Sequence, residues 1–232
     1  MRFEPTLVPG RFVRRYQRFF ADFALDDGRT VTAHCPNPGS MKSCLKPGAR
    51  SWLSRNDDPR RKLAYTWEVT QIGKVRIFVN PVRVNSVAYE ALSTSTIVEL
   101  GGYETLEREV PFGPHSRVDF RLGRGQSRCY VEVKSVTLGL GRGRAAFPDA
   151  VTQRGTRHLE ALIQMCHLGH RAVLLFCASR SDATSVEPAD DIDPVYGQTL
   201  RRAVHEGVEV LAYRTAITPE QVRMSHAVPV LL

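Results

Sequence analysis

The sequence predicts a mixed α/β chain in two parts: a small all-β barrel, then a mixed sheet flanked by helices. Three observations carry this. The first 80 residues are short strand-like stretches cut by Gly, Pro, Asn and Asp, with no convincing helix among them. From Asn85 the hydrophobic period lengthens to that of a helix, after which strands and helices alternate. With 232 residues and 42% hydrophobic content, the chain can bury a sizeable core and sits between one large domain and two small ones.

In the first part, strands are expected over residues 10–25, 29–34, 49–54, 63–70 and 74–80. They are separated by Asp26-Asp27-Gly28, Pro36-Asn37-Pro38-Gly39, Pro47-Gly48, Asn56 to Pro59 and Gly73. Five short strands without a helix fit an OB-like barrel over residues 1–82, a fold that carries single-stranded nucleic acid or oligosaccharide. The fold alone does not choose between these ligands.

In the second part, residues 83–232, the apolar positions Val87, Ala91, Leu92, Ile97, Val98 and Leu100 suit a helix ended by Gly101-Gly102. Residues 105–112, 116–122 and 128–136 then alternate like strands. A second helix over 152–168 carries the stripe Leu159, Leu162, Ile163 and Cys166 and closes at Gly169. A continuous apolar run marks residues 171–179 as a buried strand. Residues 194–206 form a third helix and 208–213 a last strand, giving the order αβββαβαβ. The acidic, apolar-poor stretch 181–193 reads as a surface loop.

The formal net charge is +8 and the isoelectric point about 9.5, which favours a polyanionic partner such as nucleic acid. All of the excess lies in residues 1–80, with 15 Lys and Arg against 7 Asp and Glu, whereas residues 81–232 balance at 17 against 17. No apolar run approaches the roughly 20 residues of a membrane helix, and the first ten residues lack a secretory apolar stretch, so a cytoplasmic protein is expected. The five cysteines are odd in number and form no CxxC pair, which argues against a disulfide framework or a zinc ribbon. His34, Cys35 and Cys44 match no zinc spacing.

The chemistry concentrates in a hairpin. Glu132 and Lys134 in Tyr-Val-Glu-Val-Lys lie on one face of their strand, with Val131 and Val133 on the other. If residues 123–127 are the hairpin loop, Asp119 of the preceding strand falls opposite Val131 or Glu132. Two carboxylates with an ammonium beside them can hold Mg²⁺ or Mn²⁺ and leave coordination sites for water and phosphate. Lys134 would then orient the water or neutralise charge on the phosphate.

This pattern resembles the PD-(D/E)xK nuclease superfamily. More narrowly, the chain resembles the sugar fermentation stimulation protein A family. The residues that carry the resemblance include Ala33-His34-Cys35-Pro36-Asn37-Pro38-Gly39-Ser40-Met41, Ser116-Arg117-Val118-Asp119-Phe120, Glu132-Val133-Lys134-Ser135 and Phe147-Pro148-Asp149-Ala150 with Arg154-Gly155 and His158-Leu159. The resemblance implies that Asp119 and Glu132 are metal ligands and Lys134 the catalytic lysine. It also implies a further carboxylate from the preceding helix, for which Glu90 is the nominee. A nuclease-like core behind an OB-like domain, and DNA binding linked to sugar metabolism, follow from the same resemblance.

The DNA contacts expected are Arg154, Arg157 and His158, at i, i+3 and i+4 on one helix face, and Arg11, Arg14, Arg15 and Arg18, interleaved with aromatic residues. Asp149 and Thr152 are expected to cap the helix that carries Arg154, and Asn37 to Gly39 to form a turn. The functional expectation is a DNA-binding protein with a divalent-metal site that hydrolyses phosphodiesters. The alternatives are a non-catalytic DNA-binding regulator and a carbohydrate-binding barrel, for which only Trp52 and Trp67 offer large stacking rings.

Overall fold

A computed structural model describes residues 1–112 and 116–232. The first part contains β1 (Val8–Tyr16), β2 (Phe20–Leu25), β3 (Thr30–His34), β4 (Arg50–Arg55), β5 (Tyr65–Ile72) and β6 (Val75–Phe78). Their order is β3-β2-β1-β4-β5-β6, and a parallel pairing of β3 with β5 closes β1 to β5 into a five-stranded barrel. Phe12, Phe23, Leu53 and Trp67 fill it.

The ring has the expected number of strands but a different set. The single stretch expected over 10–25 is two strands, joined where Gln17 and Arg18 adopt left-handed backbone at φ 46° and 63°. No Gly, Pro or Asn announces this turn. It is held instead by Arg15 Nε, which donates to the Arg18 carbonyl at 2.8 Å. The fifth expected strand, now β6, lies outside the ring as a hairpin arm on β5 and reaches the second part, where Phe78 N–H donates to Ser179 O at 2.9 Å. The first residues also leave the barrel, since Phe3 N–H donates to Glu220 O and Arg2 bridges Gln221.

The second part contains α1 (Val84–Ser93), β7 (Thr105–Phe112), β8 (Ser116–Arg124), β9 (Ser127–Val136), β10 (Leu138–Gly141), β11 (Arg144–Phe147), α2 (Gln153–His167), β12 (Arg171–Ala178), β13 (Ser185–Pro188), α3 (Pro194–His205), β14 (Glu209–Ile217) and β15 (Val222–Ala227). The main sheet runs β15-β14-β12-β9-β8-β7, parallel through β14, β12 and β9 and antiparallel at both flanks. Val87, Ala91 and Leu92 of α1 pack on one face against Val131, Val133 and Leu175. Leu159 and Leu162 of α2 and Leu200 of α3 pack on the other against Leu174 and Phe176.

Three expectations change here. The first helix stops at Ser93, because the hydroxyls of Ser93 and Thr94 bond back to the carbonyls of Tyr89 and Glu90 and Ser95 turns left-handed at φ 54°. The stretch 181–193 is not only surface loop. It contains β13, which pairs in parallel with β11, and Ala183 and Val186 are fully buried. The strand at 208–213 is not the last, since β15 follows it. Among the described residues, no helix is long and apolar enough to cross a membrane.

Candidate functional site

Asp119 sits where β8 changes face. Val118 packs in the α2/α3 core, whereas Phe120 packs in the α1 core. The ladder between β7 and β8 skips the Glu109–Asp119 position, where Glu109 takes a left-handed φ of 52°. Pairing of β8 with β9 ends at Phe120 and Val131, one step short of Asp119 and Glu132. Freed from both ladders, the Asp119 carboxylate takes the place of a strand carbonyl: its Oδ2 accepts the Val133 N–H at 2.7 Å, and its Oδ1 accepts Asn85 Nδ2 at 2.6 Å.

Glu132 is 2% exposed and faces α2. Its Oε1 accepts Lys134 Nζ at 2.6 Å and also bonds His158 Nδ1. Arg154 Nε donates to His158 Nε2 at 3.3 Å. Because a guanidinium only donates, Nε2 is the acceptor and Nδ1 carries the hydrogen that goes to Glu132. Glu132 Oε2 is buried with no hydrogen-bond partner. Burial pushes the Asp119 carboxyl up to about 6, helped by the charge of Glu132. Burial acts upward on Glu132 as well, but His158 and Lys134 outweigh it and hold that group below its ordinary value.

Asp119 is tied to the Glu132–Lys134 strand through the Val133 N–H and feels the charge of Glu132, to which Lys134 is bonded. Glu90 does not join them. It forms an ion pair with the α-ammonium of Met1 and lines a different hollow with Arg223 and Met224. At 100° per residue, Glu90 lies about 140° around α1 from Asn85, which is the position that faces β8. Asn85 and Glu109 are the neighbours that sequence reasoning missed. Glu109 Oε1 lies 3.5 Å from Asn85 Nδ2, and no motif spacing signals either residue.

Asp119 opens into a cleft of about 960 Å³ lined by Pro81, Val82, Asn85, Glu109, Arg117, Arg154, Arg157 and His158. Arg154 and Arg157 are exposed there as expected, and Arg117 is an addition. His158 is buried, and its ring is occupied by Glu132 and Arg154 rather than free for a phosphate.

The barrel arginines behave differently. Arg14 pairs with Asp22 at 2.8 Å, and Arg11 reaches Gly48 O at 3.2 Å. Arg15 donates to the carbonyls of Asn37 and Gly39, and Arg18 donates to that of Pro38, so both shape the turn. Trp67 is fully buried and Trp52 nearly so, which removes the rings a carbohydrate site would need. Thr152 caps α2 through the Gly155 N–H. Asp149 does not, because its Oδ2 accepts the Met41 N–H at 3.0 Å.

The orphaned, buried Oε2 of Glu132 and the Asp119 carboxyl, raised by its burial and by the charge of Glu132, are donors of the kind that a hard divalent cation satisfies. Among the described residues, no group of three or more His, Cys, Asp or Glu forms a metal cage. Asp119 and Glu132 are the candidate protein ligands for such an ion, which would take its remaining ligands from water and substrate, the usual habit of Mg²⁺.

The profile described as the sugar fermentation stimulation protein RE domain matches residues 82–221, and that of the SfsA N-terminal OB domain matches residues 13–79. A sugar fermentation stimulation protein homolog of Geotalea daltonii is 50% identical over 98% of each chain. That of Geobacter sulfurreducens is 51% identical over 97% of this chain and 96% of the relative. A solved structure of Pyrococcus furiosus SfsA in complex with Ca²⁺ shares the fold, with a TM-score of 0.88 at 24% identity over 100% of this chain and 98% of the other.

Proposed function

The chain belongs to the sugar fermentation stimulation protein family, and on that premise we propose that it binds DNA and hydrolyses phosphodiesters with a divalent cation held by Asp119 and Glu132. The observation that carries the reading is Glu132 Oε2, buried without a partner in a carboxylate whose other oxygen bonds His158, a lining residue of the cleft that Arg117, Arg154 and Arg157 make cationic. The Pyrococcus furiosus relative was solved in complex with Ca²⁺, a hard divalent cation, and Mg²⁺ or Mn²⁺ is the working ion of the proposal.

The cation supplies Lewis acidity to the phosphate and to the attacking water. The protein does the positioning. Asn85 and the Val133 N–H fix the Asp119 carboxylate, while Lys134 and His158 fix Glu132. The three arginines hold phosphates of the strand. In this reading residues 1–82 help grip the nucleic acid and residues 83–232 carry the chemistry.

The test is a titration of Mg²⁺ and Mn²⁺ with labelled single- and double-stranded DNA, run beside Asp119→Ala. Metal-dependent cleavage that disappears in the variant supports the proposal, and cleavage equal in both proteins overturns it. One observation favours a non-catalytic DNA-binding regulator instead: Lys134 already neutralises Glu132. That reading expects salt-sensitive DNA binding with no metal-dependent cleavage.

A further inference from the structure

Beside the Asp119 cleft lies a second hollow of about 390 Å³, between the barrel turn Pro38-Gly39 and the segment that joins β11 to α2. Pro81, Asn85 and Arg154 line both, so the two spaces adjoin, and the shared Asn85 bonds Asp119 in the cleft. The expectation that Asn37 to Gly39 form a turn says nothing of what that turn encloses.

The walls are held in place. The Asp149 carboxylate accepts the Met41 N–H, and a Cβ on Gly39 would overlap that carboxylate, so only glycine allows this approach. Ser43 Oγ donates to Thr137 O and accepts the Gly139 N–H, both at 3.1 Å, and Arg180 Nη1 donates to Thr137 O at 3.1 Å. On the barrel side, Arg15 and Arg18 hold the carbonyls of the turn. The hollow is thus built from both parts of the chain and preorganised.

Its surfaces are apolar, from Pro38, Phe147, Pro148 and Val151, and Val151 is 72% exposed. Its edges are polar, from Asn85, Ser135 and Thr152, and Arg18 and Arg154 add positive charge to its lining, Lys134 being paired with Glu132. The one acid in its lining, Asp149, is engaged by the Met41 N–H. The ligand that matches has flat apolar faces, hydrogen-bonding edges and an attached anion, and this describes a nucleotide. A base still stacked and paired in a duplex cannot enter a slot with two fixed walls. An unpaired base can, and stacking on apolar side chains is how such bases are held.

We propose that this hollow receives one unpaired base of a DNA strand whose phosphate lies in the adjoining cleft, so that the protein engages single-stranded or locally melted DNA in preference to intact duplex. The inference rests on the DNA-binding reading above but not on hydrolysis.

The test is therefore made in EDTA, without any cation. A short oligonucleotide with 2-aminopurine at one position is titrated as a single strand and as a blunt duplex, with anisotropy reporting affinity and 2-aminopurine fluorescence reporting unstacking. The expected result is a single-strand preference of at least about ten-fold, falling to within about two-fold in Pro38→Ala/Val151→Ala. Both residues are exposed, so an unchanged melting temperature checks that the variant folds. Equal affinity of the wild type for both DNA forms overturns the proposal, as does an undiminished preference in the folded double variant. Loss of metal-dependent cleavage with the preference intact would sink hydrolysis and leave the hollow standing. Cleavage without preference would do the reverse.

Discussion

The barrel and the cleft use the same kinds of charged residue in opposite ways. Glu68 in the barrel and Glu132 in the main sheet are both buried carboxylates. Glu68 is 0% exposed and fully satisfied: Ser54 and Arg83 reach Oε1, and Asn80 reaches Oε2. Glu132 has both its partners on one oxygen and none on the other. The arginines divide likewise. Each of Asp22, Asp26, Asp27, Asp57 and Asp58 pairs with a barrel arginine, whereas among the described residues Arg117, Arg154 and Arg157 have no carboxylate partner. A net charge counted along the chain points to residues 1–80, yet the arginines of the Asp119 cleft come from the part that sums to zero, and of the barrel arginines Arg18 alone lines the adjoining hollow. What marks a functional surface is charge without a partner, not charge in excess.

The sharpest way to break this comparison is to neutralise the glutamates one at a time. Glu132→Gln and Asp119→Asn are expected to lower metal-dependent DNA hydrolysis by about 100-fold or more. Glu68→Gln should keep hydrolysis and lose about 2 kcal/mol in urea unfolding, because it disturbs a satisfied network. A folded Glu68→Gln that is as inactive as Glu132→Gln would erase the distinction.

A comparable effect is expected from pH. The folded value of Asp119, about 6, lies above that of an unfolded aspartate, so its contribution is fully present below about pH 4 and is lost as pH rises through 6. The loss is on the order of 3 kcal/mol for the cation-free protein. Stability curves of wild type and Asp119→Asn should therefore converge at low pH and separate above pH 6, with the variant the more stable. Saturating Mn²⁺ should close that gap. Parallel curves over pH 4 to 7 would show that Asp119 is not held in this way.

Gly39→Ala probes the contact between the two parts. The overlap with Asp149 is expected to cost about 1–3 kcal/mol by calorimetric or denaturant melting, with partial recovery on adding Asp149→Ala. The smallest effect expected separates the two sets of arginines. Arg154→Gln should lower the salt slope of DNA binding by about one, and Arg14→Gln, already paired with Asp22, should leave it nearly unchanged. Equal slopes for the two variants would mean that pairing with an aspartate does not silence a barrel arginine.

Much of the second part is legible in the sequence because its signals are local. The alternation around Glu132 and Lys134, the Gly-rich turn before them and the apolar stripe of α2 each fix an element and a face without long-range information. The site is legible as far as those elements reach, which ties Asp119 to the Val133 N–H between Glu132 and Lys134. The side of α1 that meets β8 depends on packing between elements, so Glu90 is as good a nominee as any until the helix is rotated onto the sheet. The turn at Gln17 and Arg18 lacks the residue types that favour left-handed backbone and exists because side chains elsewhere hold it. β13 is hidden because its pairing partner, β11, lies some 40 residues away, beyond the reach of any local signal. The early end of α1 does have a signal, the run Ser93 to Thr96, whose hydroxyls compete with the helix backbone.

The pairing of Met1 to Phe3 with residues 220 to 222 has a consequence for how the protein is made. Met1 and Val222 exchange backbone hydrogen bonds at 2.9 and 3.0 Å, and Phe3 and Leu7 share a core with Val222 and Met224. During synthesis those partners emerge roughly 10–40 s after residues 1–3 at ordinary elongation rates. For that interval the nascent chain can close its barrel but not seat residues 1–7. Trp52, Val69 and Phe78 meanwhile present to the ribosome exit and its chaperones a surface that the finished molecule covers.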